Sequence, residues 1–242
     1  MTGPTPERWA IYDLDRTVLQ TPTFTLFLIW AAWRTAPWRL TLLPVLAILL
    51  LGNAIGLYSR DAFKPAAIAL MIGRRISRER ADVLATEFAA WRVPADVPPG
   101  AWAAIARDRG QGYHLLLATA APEFYAGAIA QALGFDDVVA SRHRRGANES
   151  WLAQMDGTNC YGDEKARRVT AWIANRGLEP GHVRVYSDHA SDAPVFAMAD
   201  EAFLVGRGAK SERIAAAHGW HIVDFRVTPT PTDVDDQRIS AA

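Results

Sequence analysis

From Tyr113 onward, short apolar runs alternate with segments of helical period, and this alternation constrains the fold more than any other feature. The runs are Tyr113–Ala118, Val138–Ala140, His182–Tyr186, Ala202–Val205 and His221–Val223. Between them lie predicted helices near residues 122–133, 163–175, 192–198 and 209–217, the first closed by Gly134. A glycine at that position suits the left-handed residue that ends many helices. Strands alternating with helices of this length imply an α/β fold, a parallel sheet with helices on both faces. An earlier apolar run, Trp9–Tyr12, supplies one more strand, and the polar stretch around Trp151–Ala153 is left without an assigned element. In such sheets ligands bind beyond the carboxyl ends of the strands.

The polar residues at those ends are therefore the candidates for chemistry. Asp13 and Asp15 follow the first strand, Thr119 follows the second, and Ser187-Asp188 ends the strand that begins near His182. Residues two apart on a strand face the same side, so Asp13 and Asp15 are expected to share a site. Lys165 falls in the first turn of a predicted helix, and Asp192 follows Asp188 by four residues. Taken singly, Asp13-Leu14-Asp15 is as well read as a solvated turn, and Lys165 as a surface partner of Glu164. Together the set holds a nucleophile, a proton carrier, a hydroxyl, a cation and further carboxylates. The six histidines show no ligand spacing, and Cys160 is the single cysteine, so an internal disulfide is excluded and a reducing compartment fits. The formal charge of zero argues against a nucleic-acid binder with a basic footprint.

Asp13-Leu14-Asp15-Arg16-Thr17, the strand ending in Thr119, Lys165 at a helix start, and Ser187-Asp188-His189-Ala190-Ser191-Asp192 resemble, in order, the four motifs of the haloacid dehalogenase superfamily. The resemblance implies a Rossmann-like core and a phosphatase, because Asp15 stands where ion-pumping members carry Thr. It implies that Asp13 attacks phosphorus and Asp15 moves protons, while Thr119 and the neighbouring backbone at Ala120 hold phosphate oxygens. Lys165 neutralises charge, and Asp192 positions Lys165. The implied cofactor is Mg²⁺, held by Asp13, Asp188 and the backbone carbonyl of Asp15. Two departures stand out: Arg16 replaces a common Gly, and Ser191 a common Asn.

Residues 20–100 read as a helical cap inserted between two pieces of the core, 1–19 and 101–227, with residues 228–242 as a loose Pro/Thr/Asp tail. The insert holds nine Lys/Arg against five Asp/Glu, and residues 22–57 are almost wholly apolar. Leu40–Leu57 approaches the length of a membrane span. Asp13 and Thr119 must nevertheless share one site, so the chain has to return to the side it left. A single crossing is excluded, and interfacial contact with an anionic membrane surface is expected, with a cap buried on the core or on a second subunit as the alternative. Trp30, Trp33 and Trp38 suit headgroup depth, and Lys64, Arg74 and Arg75 are candidate headgroup contacts. The cap position resembles the phosphoserine-phosphatase-like branch, and the lipid-like insert resembles bacterial phosphatidylglycerophosphate phosphatase relatives. The substrate implied is a phosphate monoester linked to a lipid, with a soluble small metabolite as the alternative. The N-terminus lacks the pattern of a signal peptide, so a cytoplasmic core on the inner face of the membrane is expected.

Overall fold

The computed structural model describes residues 7–176 and 180–227; the tail read from Thr228 onward lies outside the described residues. In chain order the first half runs β1 (Glu7–Tyr12), α1 (Thr23–Thr35), a 3-10 segment (Pro37–Leu42), α2 (Leu43–Ala54), α3 (Arg60–Met71), β2 (Arg75–Ile76), α4 (Arg78–Asp96) and α5 (Pro99–Gly110). It continues with β3 (Tyr113–Pro122), α6 (Glu123–Leu133), β4 (Asp137–Ser141), β5 (His143–Arg145), β6 (Trp151–Met155), α7 (Asp163–Ala174), β7 (Pro180–Ser187), α8 (Ala193–Phe196), β8 (Glu201–Val205), α9 (Gly208–His218) and β9 (His221–Val223).

Six of the strands form a parallel sheet in the order β4-β3-β1-β7-β8-β9. The pleat of β1 explains why its run is apolar throughout. Ala10 and Tyr12 enter one core with Leu115, Leu117, Ile105 and Ile129, while Trp9 and Ile11 enter a second core with Leu116, Ala118, Val185 and Val169. A strand buried on both faces has no position at which a polar residue is cheap. In register, Tyr12 pairs with Leu117 on one side and Tyr186 on the other. The chain therefore leaves β1, β3 and β7 at one edge.

The insert is helical apart from β2, which joins β6 and β5 in a small antiparallel sheet. Sequence reading missed this sheet because its strands are only two to five residues long and two of them, β2 and β5, carry arginines. The border expected at residue 100 falls in the first turn of α5. Helices α1 and α4 sit on the core helix α6: Phe27 stacks on Tyr125 at 4.4 Å between ring centroids, and Phe88 meets Tyr125 edge-on at 5.9 Å. The helix expected near residues 192–198 is a 3-10 turn followed by the single turn α8. Pro194 occupies its first turn, where a missing N–H costs nothing.

The apolar run at 40–57 also divides. The 3-10 segment gives way to α2, which ends in a turn with Gly56 at φ 76°. Residues 37–54 have a mean hydropathy of 1.4 and are only 11% buried, so by length and composition they form a candidate span. No part of the described chain covers the outer face of α2. The buried-cap alternative thus fails for that face within one chain.

Candidate active site

β1 ends at Tyr12, so a tight turn rather than the pleat of a strand brings Asp13 and Asp15 together. The N–H groups of Thr17 and Leu19 both donate to the Leu14 carbonyl, at 3.4 and 2.9 Å. Leu14, Val18 and Leu19 are fully buried and anchor the turn. Arg16 pays for its tightness with φ 65°, a left-handed conformation that costs a non-glycine residue roughly 1–2 kcal/mol. That geometry accounts for a glycine at this position in the superfamily motif. The Thr17 hydroxyl accepts from the Asp188 N–H at 3.0 Å and faces Asp13 Oδ2 at 3.4 Å, tying the β1 and β7 ends together.

Lys165 is delivered by the start of α7, where Gly162 takes φ 56° just before the helix. Its Nζ donates to Asp13 Oδ1 at 2.8 Å and to Asp192 Oδ2 at 2.7 Å. Asp192 also accepts from Ser187 Oγ at 2.6 Å, while its Oδ1 is buried without a partner among the described residues. Burial would lower the Lys165 pKa, but Asp13 and Asp192 outweigh it and hold the ammonium charged. Burial pushes Asp13 up to about 7 against the pull of Lys165, with Asp192 adding to the rise. Asp15 is raised by burial against the hydrogen bond from Thr23, and Asp188 by burial against His189 and Arg16.

Thr119 is buried inside β3, which runs past the end expected at Ala118 as far as Pro122, and its hydroxyl accepts from the Ala121 N–H at 3.0 Å. The carbonyl of the next residue, Ala120, accepts from Ser141 Oγ at 2.7 Å and from Lys64 Nζ. Lys64 reaches this point from α3 and also donates to Asn159 Oδ1. Its burial lowers its pKa to about 8 against the opposing charge of Asp15. Asn159 in turn accepts from Ser141 Oγ at 2.8 Å and donates its N–H to Asp61 Oδ1 at 2.9 Å. One side chain of the insert is thereby fixed to the phosphate end of the core.

Asp13, Asp15, Thr119, Ala120, Lys165, Asp188 and Asp192 all line one cleft of ≈ 320 Å³, and Lys64 lines it with them. Arg74 and Arg75 do not. Both are exposed, and the pairing of β2 with β6 directs this segment elsewhere: the Arg74 carbonyl accepts from Ala153, and Arg75 Nη2 donates to the Ala147 carbonyl at 2.9 Å. The structure adds Asn53, Arg60, Phe24, Phe63, Asn159 and Tyr161 to the walls, with the Arg60 guanidinium 3.9 Å over the Tyr161 ring. Arg60 was legible only as one of a row of basic residues. Asn159 had no signal, because it follows no strand and matches no motif.

The cleft offers hard oxygen donors to a cation in Asp13, Asp15 and Asp188, which all line it. The Asp188 carboxylate accepts no hydrogen bond among the described residues, and burial raises both Asp13 and Asp188, with crowding by the Asp192 carboxylate adding to each. Added positive charge would relieve that crowding. Among the described residues, no three His, Cys, Asp or Glu side chains form a cation cage. The donor set suits a metal that retains several waters.

Comparison with known proteins agrees with this geometry. Residues 10–197 match the family model of haloacid dehalogenase-like hydrolases. The chain belongs to that family of hydrolases. Protein CicA of Caulobacter vibrioides is 28% identical over 194 residues, covering 78% of this chain and 82% of CicA. The histidinol-phosphatase of Neisseria meningitidis is 23% identical over 169 residues, covering 69% and 75%. Among solved structures, a Bordetella pertussis protein of unknown function superimposes with a TM-score of 0.81 at 21% identity, covering 91% of this chain and 100% of that one. A phospho-aspartyl intermediate analogue of phosphoserine phosphatase gives 0.61 at 12% identity, covering 98% and 99%.

Proposed function

We propose that this chain is a Mg²⁺-dependent phosphomonoester hydrolase that works through an aspartyl-phosphate on Asp13, with a lipid-linked phosphate as substrate at the cytoplasmic face of the membrane. The observation that carries the chemistry is the Lys165 ammonium, 2.8 Å from Asp13 and fixed from behind by Asp192. That contact occupies Asp13 Oδ1 and leaves Oδ2, 3.4 Å from the Thr17 hydroxyl, as the oxygen that attacks phosphorus. Asp13 Oδ2 forms the new P–O bond as the ester P–O bond breaks, and Asp15 gives its proton to the departing alkoxide. Asp15 then takes a proton from water, whose oxygen attacks the same phosphorus and releases inorganic phosphate and free Asp13. Lys165, Thr119 and nearby backbone N–H groups hold the negative charge on the transferring group. Mg²⁺, held by Asp13, Asp188 and the Asp15 carbonyl, would screen the approach of an anionic nucleophile to a dianionic ester.

The lipid-linked substrate is supported by the apolar walls Pro22, Phe24 and Phe63 beside the basic Arg60 and Lys64. A soluble small metabolite remains the second reading, favoured by the likeness to histidinol-phosphatase and phosphoserine phosphatase. Hydrolysis of phosphatidylglycerophosphate, lysophosphatidate, phosphoserine and histidinol phosphate, with Mg²⁺ and after chelation, separates the two. Preference for a lipid ester supports the first, and preference for a soluble ester sinks it while leaving the chemistry intact. Asp13→Asn is expected to abolish both turnover and inhibition by beryllofluoride, and activity retained in that variant removes Asp13 as nucleophile.

A further inference from the structure

We infer that the outer face of α2, with the tryptophans before it, is a docking surface for an anionic lipid bilayer that seats the mouth of the catalytic cleft at the headgroup layer. The inference rests on the lipid-linked reading above and specifies how such a substrate is reached. Pro44, Ala47, Ile48, Leu51 and Ile55 are all exposed, Ile48 at 69% and Leu51 at 61%. Their spacing of three, four, seven and eleven residues from Pro44 places them on one helical stripe. The stripe holds no polar side chain.

Charge and composition decide what covers it. Residues 16–60 contain four arginines and no aspartate or glutamate. Trp38, exposed at 63%, lies under the Arg39 guanidinium at 5.0 Å, and exposed Trp33 lies near that of Arg34 at 5.8 Å. Arg34 also pairs with Glu87, and Arg39 donates to the carbonyls of Ala69 and Leu70, so both cations are held in place at the rim. An apolar helix with tryptophans and arginines at its border matches a bilayer interface facing anionic headgroups.

The neighbouring helices decide how it lies. Helix α1 is seated on the core by Phe27, Leu28, Ala31 and Ala32, and α3 by Phe63, Ala67, Ile68 and Met71. Both chain neighbours of α2 are thus held on the core, and its 12 residues fall short of the roughly 20 that a span requires, so α2 lies in the interface and does not cross. The opposite face of α2 carries Asn53, which lines the cleft. Asn53 Nδ2 donates to the Tyr58 carbonyl at 3.2 Å, and the Tyr58 hydroxyl donates to Leu49 O. Tyr58 packs so closely that a Cβ on Gly52 would meet its Oη at 2.6 Å. The exposed turn with Ile55 and Leu57 is thus fastened to α2 and continues directly into α3, which carries Arg60, Phe63 and Lys64 of the cleft wall. A lipid held by its tail in the bilayer presents its phosphate beside that wall.

The full chain is tested by flotation with neutral phosphatidylcholine vesicles and with vesicles containing phosphatidylglycerol, alongside its sedimentation without lipid. Wild type is expected to float with the anionic vesicles and to remain behind with neutral ones. Ile48→Glu/Leu51→Glu is expected to lose anionic binding by more than about tenfold while hydrolysing p-nitrophenyl phosphate at the wild-type rate, which shows that its fold and cleft are intact. Failure of wild type to float, or flotation unchanged in the variant, overturns the inference. A lipid-free dimer dissolved by the same substitutions also overturns it, by making a second copy the occupant. Flotation without hydrolysis of any ester removes the functional reading instead, and hydrolysis without flotation removes only the docking surface.

Discussion

The backbone N–H of Thr23, first residue of α1, donates to Oδ1 of Asp15 at 2.8 Å. The residue before it, Pro22, supplies no side-chain cap, so the Asp15 carboxylate serves as the acceptor that a helix N-terminus requires. The same carboxylate is the proposed proton carrier, and its aim is therefore set by the first helix of the insert.

Asp15→Asn keeps an acceptor for Thr23 and removes the proton carrier. We expect kcat on alkyl phosphates to fall by about 10²–10⁴. With p-nitrophenyl phosphate, whose leaving group needs no proton, phosphoenzyme formation is spared and its hydrolysis is slowed. A burst of p-nitrophenol followed by slow turnover checks this, and unaltered steady-state rates on alkyl esters would exclude the role. Asp15→Ala should in addition cost about 1 kcal/mol of stability through the lost cap, read by urea unfolding.

The site was legible where chemistry and topology coincide in the sequence. Asp13, Thr119, Lys165 and Asp188 each stand beside a strand end or a helix start that hydrophobic pattern alone locates, and the parallel sheet then collects them. The pleat argument for Asp13 and Asp15 reached the right neighbourhood by the wrong local geometry, since Arg16 folds the pair back through a left-handed turn. Lys64 and Asn159 meet only because α3 packs against β6 and carries Lys64 to the Ala120 carbonyl, a long-range contact that leaves no periodicity in either segment. Arg74 and Arg75 look the same as Lys64 in the sequence, and the two-residue strand β2 separates them from it. Exposure of α2 was equally illegible, because an apolar run has the same composition whether or not another surface covers it.

Lys165 lies between two buried carboxylates, and removing it leaves both without their cation. Lys165→Met is expected to abolish turnover and to destabilise the fold by roughly 3–5 kcal/mol. Adding Asp13→Asn to that variant should recover part of the stability and none of the activity. Urea denaturation of the single and double variants measures the coupling, and strictly additive losses would mean that Lys165 and Asp13 do not share their energy.

Away from the cleft, Asp108 joins three elements. It is fully buried and accepts from the Tyr12 hydroxyl at 2.5 Å, Arg107 Nε at 3.1 Å and Arg184 Nη1 at 2.8 Å, linking α5 to β1 and β7. Asp108→Ala strands these donors around an empty space, and a loss of about 3–5 kcal/mol is expected. Asp108→Asn keeps the shape and one acceptor and should cost less. Thermal and urea unfolding give the order of the two variants, and a loss in Asp108→Asn as large as that in Asp108→Ala would show that the retained shape and acceptor contribute nothing.

His143 makes stability depend on pH. Its ring packs against Phe124 at 5.3 Å, Nδ1 lies 3.3 Å from the Leu152 carbonyl, and Nε2 is buried without a partner among the described residues. Burial pushes its pKa down to about 4, against the raising effect of the Leu152 carbonyl. In the unfolded chain the imidazole titrates near the ordinary histidine value of about 6.5. Between those values the unfolded state binds more protons than the folded one, so stability rises with pH. The contribution is complete above about pH 6.5 and is lost as pH falls toward 4, with an upper bound of about 3 kcal/mol. His143→Gln, neutral at every pH in this range, should flatten that part of the profile relative to wild type while the carboxylates titrate equally in both. Urea midpoints measured at intervals from pH 7 to pH 4 test this, and parallel profiles for the two proteins would show that the buried imidazole is protonated at no cost.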